Sequence, residues 1–209
     1  MKLKKKAAYG KPQRLKFPAE EVANNWLGYA FDAYYRADAG VAKAIQQEER
    51  NGRKLACAKG CSSCCKSHTT IPIFPLELLG LYWYVSKIMP AATRNRLKPQ
   101  LENHAAGGAC PFLLDGACSV HPMRPLACRH FNVFDQVCAE GEDAFHTRRE
   151  DVLTPLKSHQ DAAYEAMLPF HGFTTAEQQQ AAMQHNYIQH QARVLQEIDW
   201  AHLAARISG

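Results

Sequence analysis

The residues of this chain best suited to chemistry are its eight cysteines, which all fall between positions 57 and 138. Four of them lie within nine residues and four follow at wide intervals: Cys57, Cys61, Cys64 and Cys65, then Cys110, Cys118, Cys128 and Cys138. Cysteines that serve as small core residues are expected at the apolar positions of helices and strands. These cysteines lie instead among Gly, Pro, Ser and Lys, which indicates chemistry and, above all, metal binding.

The CxxxCxxC spacing of the first group would let one turn aim several sulfurs at a single point, as zinc ribbons and iron–sulfur loops do. Ligands from distant sequence would then close a long loop, which is how a metal stabilises a region of little regular structure. We therefore predict all eight cysteines as candidate metal ligands. Arg124 and Arg129 flank Cys128 with no acid close in sequence, and such cations would offset the negative charge of metal-bound thiolates.

The adjacent pair Cys64 and Cys65 bears on which metal is bound. Neighbouring side chains diverge, so the two thiols are not expected to reach one tetrahedral ion. Eight cysteines are also twice the number that one mononuclear zinc ion uses. Both observations favour an iron–sulfur cluster over Zn²⁺, which stays the alternative. The pair could span two irons, serve two separate sites, or leave one thiol free; in a catalytic protein, Cys65 or an open cluster position would be the reactive point.

No segment of the sequence is suited to crossing a membrane. The N-terminus has no apolar stretch of the kind found in signal peptides, and the longest apolar run, about 76–85, is interrupted by Glu77. We therefore predict a cytoplasmic protein, in which reduced cysteine clusters hold metal or do redox work. This location disfavours a disulfide framework. Radical S-adenosylmethionine chemistry is disfavoured because no succession of strand–helix units follows the cysteine loop.

Histidines are the second class of candidate ligand, and we expect them to be surface residues or neighbours of the ligands. His68, His121 and His130 lie close to the cysteines in sequence, but the cysteines already oversupply a site. His185 and His190 are five residues apart, a spacing that does not place them on one face of a helix.

The net charge of +5 comes from one end of the chain. Residues 1–16 contain seven Lys and Arg and no acid, so that acids outnumber bases in the remainder. We predict residues 1–18 as a flexible basic tail. Contact of this tail with nucleic acid or acidic membrane is the disfavoured alternative to a solvated end.

The elements around the cysteines are predicted to be helical, in one mainly α domain over residues 19–209. Helical flanks over 19–50 and 158–207 would enclose an irregular, loop-rich centre over about 55–150. Within this centre, Pro75 would open a helix to about Met89, and a second helix from Pro90 would be bent or ended near Pro99. Thr174 and Glu177 suggest a capping box for a terminal helix that runs to about residue 207. No sheet is predicted.

Two strings within the centre resemble a known family. CxxxCxxCC over residues 57–65 and CPFLLDGACSVHPMRPLACR over residues 110–129 are similar to the CxxCxxCC family of zinc- or iron-chelating proteins, also called YkgJ-type cysteine-cluster proteins. The similarity covers about residues 55–150. This chain departs from the family pattern by opening with CxxxC rather than CxxC.

The resemblance implies that the eight cysteines are metal ligands in a cytoplasmic protein. It also implies a third functional class, a methyltransferase-like enzyme, because the same module resembles part of a flagellin lysine-N-methylase. The three interpretations are thus an iron–sulfur protein for redox, sensing or structural use, a structural zinc module that binds a protein or nucleic acid, and such a methyltransferase. The sequence leaves enzymatic activity open.

Overall fold

The computed structural model describes residues 10–207, and within that range the protein is mainly helical, as predicted. The helices are α1 Pro18–Ala23, α2 Trp26–Arg50, α3 Ser63–Ser67, α4 Pro75–Trp83, α5 Ala91–Glu102, α6 Leu126–His130, α7 Ala144–Thr147, α8 Lys157–Met167, α9 Ala176–Gln184, α10 Tyr187–His190 and α11 Ala201–Ala205. The strands are β1 Pro72–Ile73, β2 Leu113–Leu114, β3 Ala117–Cys118 and β4 Arg193–Val194. A π-helical turn, Tyr84–Ile88, extends α4, and 3₁₀ turns span His121–Met123, Arg149–Asp151, Leu168–His171 and Leu195–Glu197. Within residues 10–207 no helix combines the length and apolarity needed to cross a bilayer.

The first helical flank is two helices rather than the single stretch predicted. The backbone and side-chain amides of Asn24 both donate to the carbonyl of Glu20, which ends α1. The chain turns at Asn24 and Asn25, and their carbonyls accept the first hydrogen bonds of α2. Asn51 and Gly52, the latter with φ of +90°, end α2 at Arg50, which is the predicted end of the first flank.

Part of the predicted tail is anchored to the fold. Residues 1–9 lie outside the described residues. Arg14 pairs with Glu21 at 2.8 Å and with Asp32 at 2.5 Å. Phe17 then packs edge-on against Trp83, with ring centroids 5.2 Å apart. These contacts hold the chain against α2 before the first helix begins.

The long helix α2 organises the domain through its apolar face. Its buried residues recur at three- and four-residue intervals, as expected of a helix with one face in the core: Leu27, Ala30, Phe31, Tyr34, Ala37, Val41 and Ile45 among them. Helix α8 packs along α2, and Gly40 allows the two helices to approach closely. A Cβ atom at position 40 would lie 2.4 Å from the Cβ of His159.

Helix α5 continues past Pro99 to Glu102, although a bend or an end was predicted there. Pro99 has no backbone N–H to donate within the helix, and the helix continues for only one turn beyond it. The backbone and side-chain amides of Asn103 donate to the carbonyl of Pro99. Leu97 and Leu101 are buried on either side of the proline and hold the helix to the core.

The C-terminal region is broken into short elements, so the prediction of one long helix was wrong. The capping box is shifted by one residue: Thr175 accepts from the amide of Gln178, whose side chain accepts from the amide of Thr175. Left-handed Asn186 separates α9 from α10. Strand β4 then pairs antiparallel with β1, because tertiary pairing outweighs helical propensity here. Strands β2 and β3 form a second two-stranded sheet, which was likewise not predicted.

Buried apolar side chains form three clusters of unequal size. The main core joins α2, α4, α5, α8 and the C-terminal segments around residues such as Phe31, Phe112 and Trp200. A second cluster comprises Val41, Ala44, Ile45, Phe134 and Leu153. The third, which we call the minor cluster, comprises Val133, Ala144 and Val152. Six of the eight cysteines lie in or pack against the main core or the minor cluster, and Cys61 and Cys64 belong to neither.

Candidate metal centre

The segment before the first cysteine is fixed to a distant part of the chain. Leu55 and Phe134 form an isolated antiparallel bridge, and the amide of Ala56 donates to the carbonyl of Val133 at 2.8 Å. The amide of Val133 in turn donates to the sulfur of Cys57 at 3.3 Å. Arg53 strengthens this junction by pairing with acids on the second segment. Cys57 is thereby half-buried on the minor cluster.

Cys61 follows in a tight turn and is exposed to solvent. Gly60 adopts φ of +89°, a value that disfavours any residue with a Cβ atom, and the amide of Cys61 donates to the carbonyl of Ala58 at 3.0 Å. The predicted turn is therefore present.

Cys64 and Cys65 lie in the short helix α3, although an irregular loop was predicted for all four of the first cysteines. The hydroxyl of Ser67 donates to the carbonyl of Ser63 inside the helix and to that of Glu142 at 2.8 Å. The carbonyl of Cys65 accepts a bond from the amide of Cys110, also at 2.8 Å. Helix α3 thus joins the two cysteine-bearing segments of the chain.

Cys110 and Cys118 are positioned by the hairpin β2–β3. Asp115 and Gly116 form its turn with φ of +51° and +73°, the conformation that an Asp-Gly pair favours between two strands. Cys118 pairs with Leu113 across the hairpin. Cys110 is buried in the main core, and Cys118 packs against it.

Cys128 is carried by helix α6, which buried polar groups attach to the rest of the fold. The carboxylate of Glu77 accepts from the amides of Phe74 and Leu126 at 3.0 and 2.6 Å, so it joins α4 to α6. Complete burial raises the pKa of Glu77 to about 7, against the opposing effect of the two amides.

The residue after Cys128 connects α6 to α2. Arg129 is 4 % exposed and pairs with Asp38 at 2.5 Å, while its guanidinium lies 4.1 Å from the ring centroid of Tyr34. Its remaining donors bond the carbonyls of Pro122 and Arg124. A buried guanidinium with this many partners fixes the orientation of α6 and therefore of Cys128.

Cys138 packs on the minor cluster beside a second arginine network. Arg148 donates to the sulfur of Cys138 at 3.8 Å, and to the carboxylates of Glu142 at 2.7 Å and Asp151 at 3.0 Å. Because Arg148 bonds it, the pKa of Glu142 falls to about 2. Cys138 thus has a fixed cation beside its sulfur.

Burial and the proximity of other thiols raise the pKa values of six of the cysteines. Burial raises the pKa of Cys57 to about 11, with smaller contributions from Cys61, Cys64 and Cys138. Hydrogen bonding with Cys110 is the largest effect on Cys65 and raises its pKa to about 12. Hydrogen bonding to Cys65 raises the pKa of Cys64. Burial raises the pKa values of Cys118, Cys128 and Cys138.

Burial favours the neutral form of the three histidines close to the cysteines. Burial, then the charge of Arg124, lowers the pKa of His121 to about 4, and burial does the same for His130. Burial also lowers the pKa of His68, whose ring packs edge-on to Phe131 at 4.4 Å. His185 caps the end of α9 and His190 ends α10, so the two do not share a helix.

Sequence reasoning identified some of the charged groups around the cysteines and missed others. Arg124 and Arg129 flank Cys128 in sequence, but the thiol on which they act is Cys118, where their charges oppose the rise in pKa that burial causes. Arg53 precedes Cys57 by four residues, but its guanidinium pairs with Asp135 and Asp151. The sequence did not predict a role for Arg148 or Glu77. Glu77 could have been noticed as a charged residue inside an apolar run. Arg148 has no such signal, because only the fold brings it close to Cys138.

The chemistry of the donor set fits a thiophilic metal. Soft thiolates select zinc and iron–sulfur clusters, and deprotonation of closely grouped thiols requires a compensating cation. Among residues 10–207, no three His, Cys, Asp or Glu side chains converge closely enough to coordinate an ion as they stand. Metal binding therefore requires the thiol side chains to rotate toward a common point.

Residues 56–152 match the family model CxxCxxCC, described as a Putative zinc- or iron-chelating domain. The match covers all eight cysteines: the seven in the two strings and Cys138. Comparisons with curated proteins and with solved structures give no significant match.

Proposed function

We propose that this protein, whose residues 56–152 belong to the CxxCxxCC family, binds iron as an iron–sulfur cluster in its cysteine-rich centre. The observation that carries the proposal is the adjacent pair Cys64 and Cys65 in α3, with further thiols on both sides. Cys65 hydrogen-bonds with Cys110 and with Cys64. Cys64 is in turn an electrostatic neighbour of Cys57, Cys118, Cys128 and Cys138. The number of neighbouring thiols therefore exceeds the four ligands of one tetrahedral zinc ion.

In a cluster protein the chain's own groups would set how the thiolates are held. Amide and guanidinium donors to sulfur, hydrophobic surroundings and nearby charge are the factors by which a protein tunes a cluster. Here the amide of Val133 donates to Cys57, and Arg148 donates to Cys138. Use in electron transfer, in sensing or in stabilising the fold is consistent with this arrangement, as is a reducing, cytoplasmic location.

The second candidate is a structural zinc module that presents its helical flanks to a protein or nucleic acid partner. It is favoured by the fixed position of four cysteines on the main core, since a closed set of four thiolates is typical of structural zinc: Cys65, Cys110, Cys118 and Cys128.

Anaerobic purification followed by metal, sulfide and absorption measurements separates the two candidates. An iron–sulfur protein is brown, with thiolate-to-iron absorption near roughly 400 nm, and contains iron with acid-labile sulfide. Cys64→Ser and Cys65→Ser should each lower the iron content at least about twofold. Ser62→Ala is the control, because the Ser62 side chain makes no capping bond to α3. A colourless zinc protein would support the second candidate, and a metal-free protein would overturn both.

A further inference from the structure

Two histidines and one carboxylate form a cluster without thiols, where the end of α3 meets α7. The imidazole Nε2 of His68 lies 3.2 Å from one carboxylate oxygen of Asp143, and the Nε2 of His146 lies 3.9 Å from the other. Two imidazoles therefore approach the same carboxylate, one from each of the two elements. Imidazole nitrogens together with a carboxylate are donors that zinc and similar divalent ions take in proteins.

Hydrogen bonds between α3 and the segment before α7 place His68 opposite Asp143. The hydroxyl of Ser67 donates to the carbonyl of Glu142 at 2.8 Å, and the residue that follows each of them is a member of the cluster. On the other side, the fully buried side chain of Gln196 donates to the carbonyl of His68 at 2.6 Å. These two bonds fix the backbone of His68, so its imidazole is held beside the carboxylate.

Helix α7 presents His146 to the same carboxylate. Asp143 caps this helix, since one of its carboxylate oxygens accepts from the amide of Phe145 at 3.0 Å, and about three lone-pair sites of the carboxylate remain. His146 follows Asp143 by three residues, a spacing that puts two side chains on one face of a helix. The three side chains do not meet at one point as they stand, but His146 is 75 % exposed and can rotate to close the gap.

The contact between His68 and Asp143 has the geometry of two ligands and not of a hydrogen-bonded pair. The Nε2 of His68 is buried and makes no hydrogen bond to the described residues, although the carboxylate oxygen is 3.2 Å away. Two donor atoms bound to one zinc ion at about 2.0–2.2 Å lie roughly 3.0–3.5 Å apart, and their lone pairs point at the ion rather than at each other. Burial also lowers the pKa of His68, which favours the neutral imidazole that binds metal.

We propose that His68, Asp143 and His146 form a second metal site, which binds Zn²⁺ or a similar divalent ion through two imidazoles and one carboxylate. Three protein ligands leave a coordination position for water, and the exposed His146 gives solvent access to the ion. The site therefore exchanges its ion more readily than a closed set of thiolates does. It is separate from the thiols and does not depend on which metal they hold.

The test is equilibrium dialysis of added Zn²⁺ against protein purified anaerobically, with the metal already held by the protein measured beforehand. The wild type should bind about one further ion per chain through these residues. His146→Gln should weaken this binding at least about tenfold and leave the metal held by the thiols unchanged. His202→Gln is the matched control and should bind as the wild type does. His202 is also exposed and lies 3.4 Å from the carboxylate of Asp199, but among the described residues no second histidine pairs with that carboxylate.

Co²⁺ in place of Zn²⁺ identifies the donors. The ion whose binding depends on His146 should lack the sulfur-to-cobalt charge-transfer absorption that thiolate ligands give, even in protein whose thiols hold no metal of their own. Equal binding by the wild type and His146→Gln, or an equal loss in His202→Gln, would overturn the site. Sulfur absorption from the His146-dependent ion would assign that ion to the thiols and would overturn it as well. Because His146 is exposed, its replacement should leave the fold intact, which circular dichroism verifies.

Discussion

Two regions of this molecule are held together by different means. The helical frame, α2 with α8, buries a continuous apolar face and brings its backbones close at Gly40. The cysteine-rich segments, residues 55–68 and 110–148, contain only short helices, a hairpin of two-residue strands and isolated bridges. The frame is held by apolar packing along two helices, whereas the segments combine buried apolar side chains such as Phe112 and Leu126 with polar contacts and, in the proposed function, with metal.

Metal removal should produce the largest difference between the two regions. In protein stripped of metal, hydrogen exchange at the amides of Ala56, Cys110 and Val133 should speed up by more than about tenfold. Amides within α2 should keep most of their protection, because their stability comes from apolar packing. Equal loss in both regions would show that the frame also depends on the metal.

Arg129→Met should be the most destabilising single substitution of the contact between frame and segments. It removes the buried guanidinium that pairs with the half-buried Asp38, which then keeps only its 3.9 Å contact with Arg124, and should lower the free energy of unfolding by about 3–5 kcal/mol. Arg96→Met is the control, since the Arg96–Asp115 pair is more than half exposed and should be worth about 0–1 kcal/mol. Urea denaturation measures both; similar values would contradict the role of burial.

Glu77→Gln should change how stability depends on pH. The folded-state pKa of Glu77 is raised from 4.5 to about 7, so its contribution is fully present below pH 4.5 and is lost as pH rises through about 7, by roughly 3 kcal/mol. His121 and His130, with lowered pKa values, give the opposite trend below their ordinary value of 6.5. The difference between the variant and the wild type, followed by denaturation from pH 4.5 to 8, isolates Glu77.

The charged groups around Glu77 are Arg129 of α6, which lowers its pKa, and Tyr34 and Tyr164, whose own pKa values are raised by burial and then by the charge of Glu77. The thiol of Cys128 is a further neighbour. In the variant, the glutamine side chain has one acceptor oxygen and can accept only one of the two amide hydrogen bonds. This loss lowers the free energy of unfolding equally at every pH and leaves its slope against pH unchanged. Identical slopes in the variant and the wild type would show that Glu77 has an ordinary pKa.

Gly40→Ala should have the smallest of these effects and should act on the frame alone. The added Cβ atom would lie 2.4 Å from the Cβ of His159, so α2 and α8 must separate, at a cost of about 1–3 kcal/mol. Gly28→Ala is matched to it in helix α2, but its nearest neighbours are 3.8 Å away, and it should be neutral or stabilising by up to about 1 kcal/mol. Thermal unfolding compares them, and metal content should change in neither.

Much of the frame could be predicted from local sequence. The apolar spacing from Leu27 to Ile45 and the stop at Asn51 and Gly52 require only neighbouring residues, and both are present in the structure. The prediction was wrong where local signals compete with tertiary contacts. Arg193 and Val194 continue a helical pattern but pair with Ile73 and Pro72, because the two strands complete each other's backbone hydrogen bonds.

The candidate site could be predicted as a set of residue types, but its arrangement could not. All eight cysteines were recognisable from their clustering, and their assignment as ligands stays a prediction. The sequence gives no sign that Arg148 lies beside Cys138 or that Asp38 of α2 holds Arg129. Contacts between residues far apart in sequence depend on how the chain folds back, which residue spacing does not encode.

By itself the sequence determined the chemistry available to this protein: a mainly helical chain with eight thiols in one region and a match over residues 56–152 to a family of zinc- or iron-chelating domains. Only the tertiary structure decided which thiols are neighbours. Packing on two separate apolar clusters, with α3 between them, draws Cys65 toward Cys110 and leaves Cys57 beside Val133. The physical reason is that thiol chemistry follows from residue type, whereas the distance between thiols is fixed by the core to which each is attached.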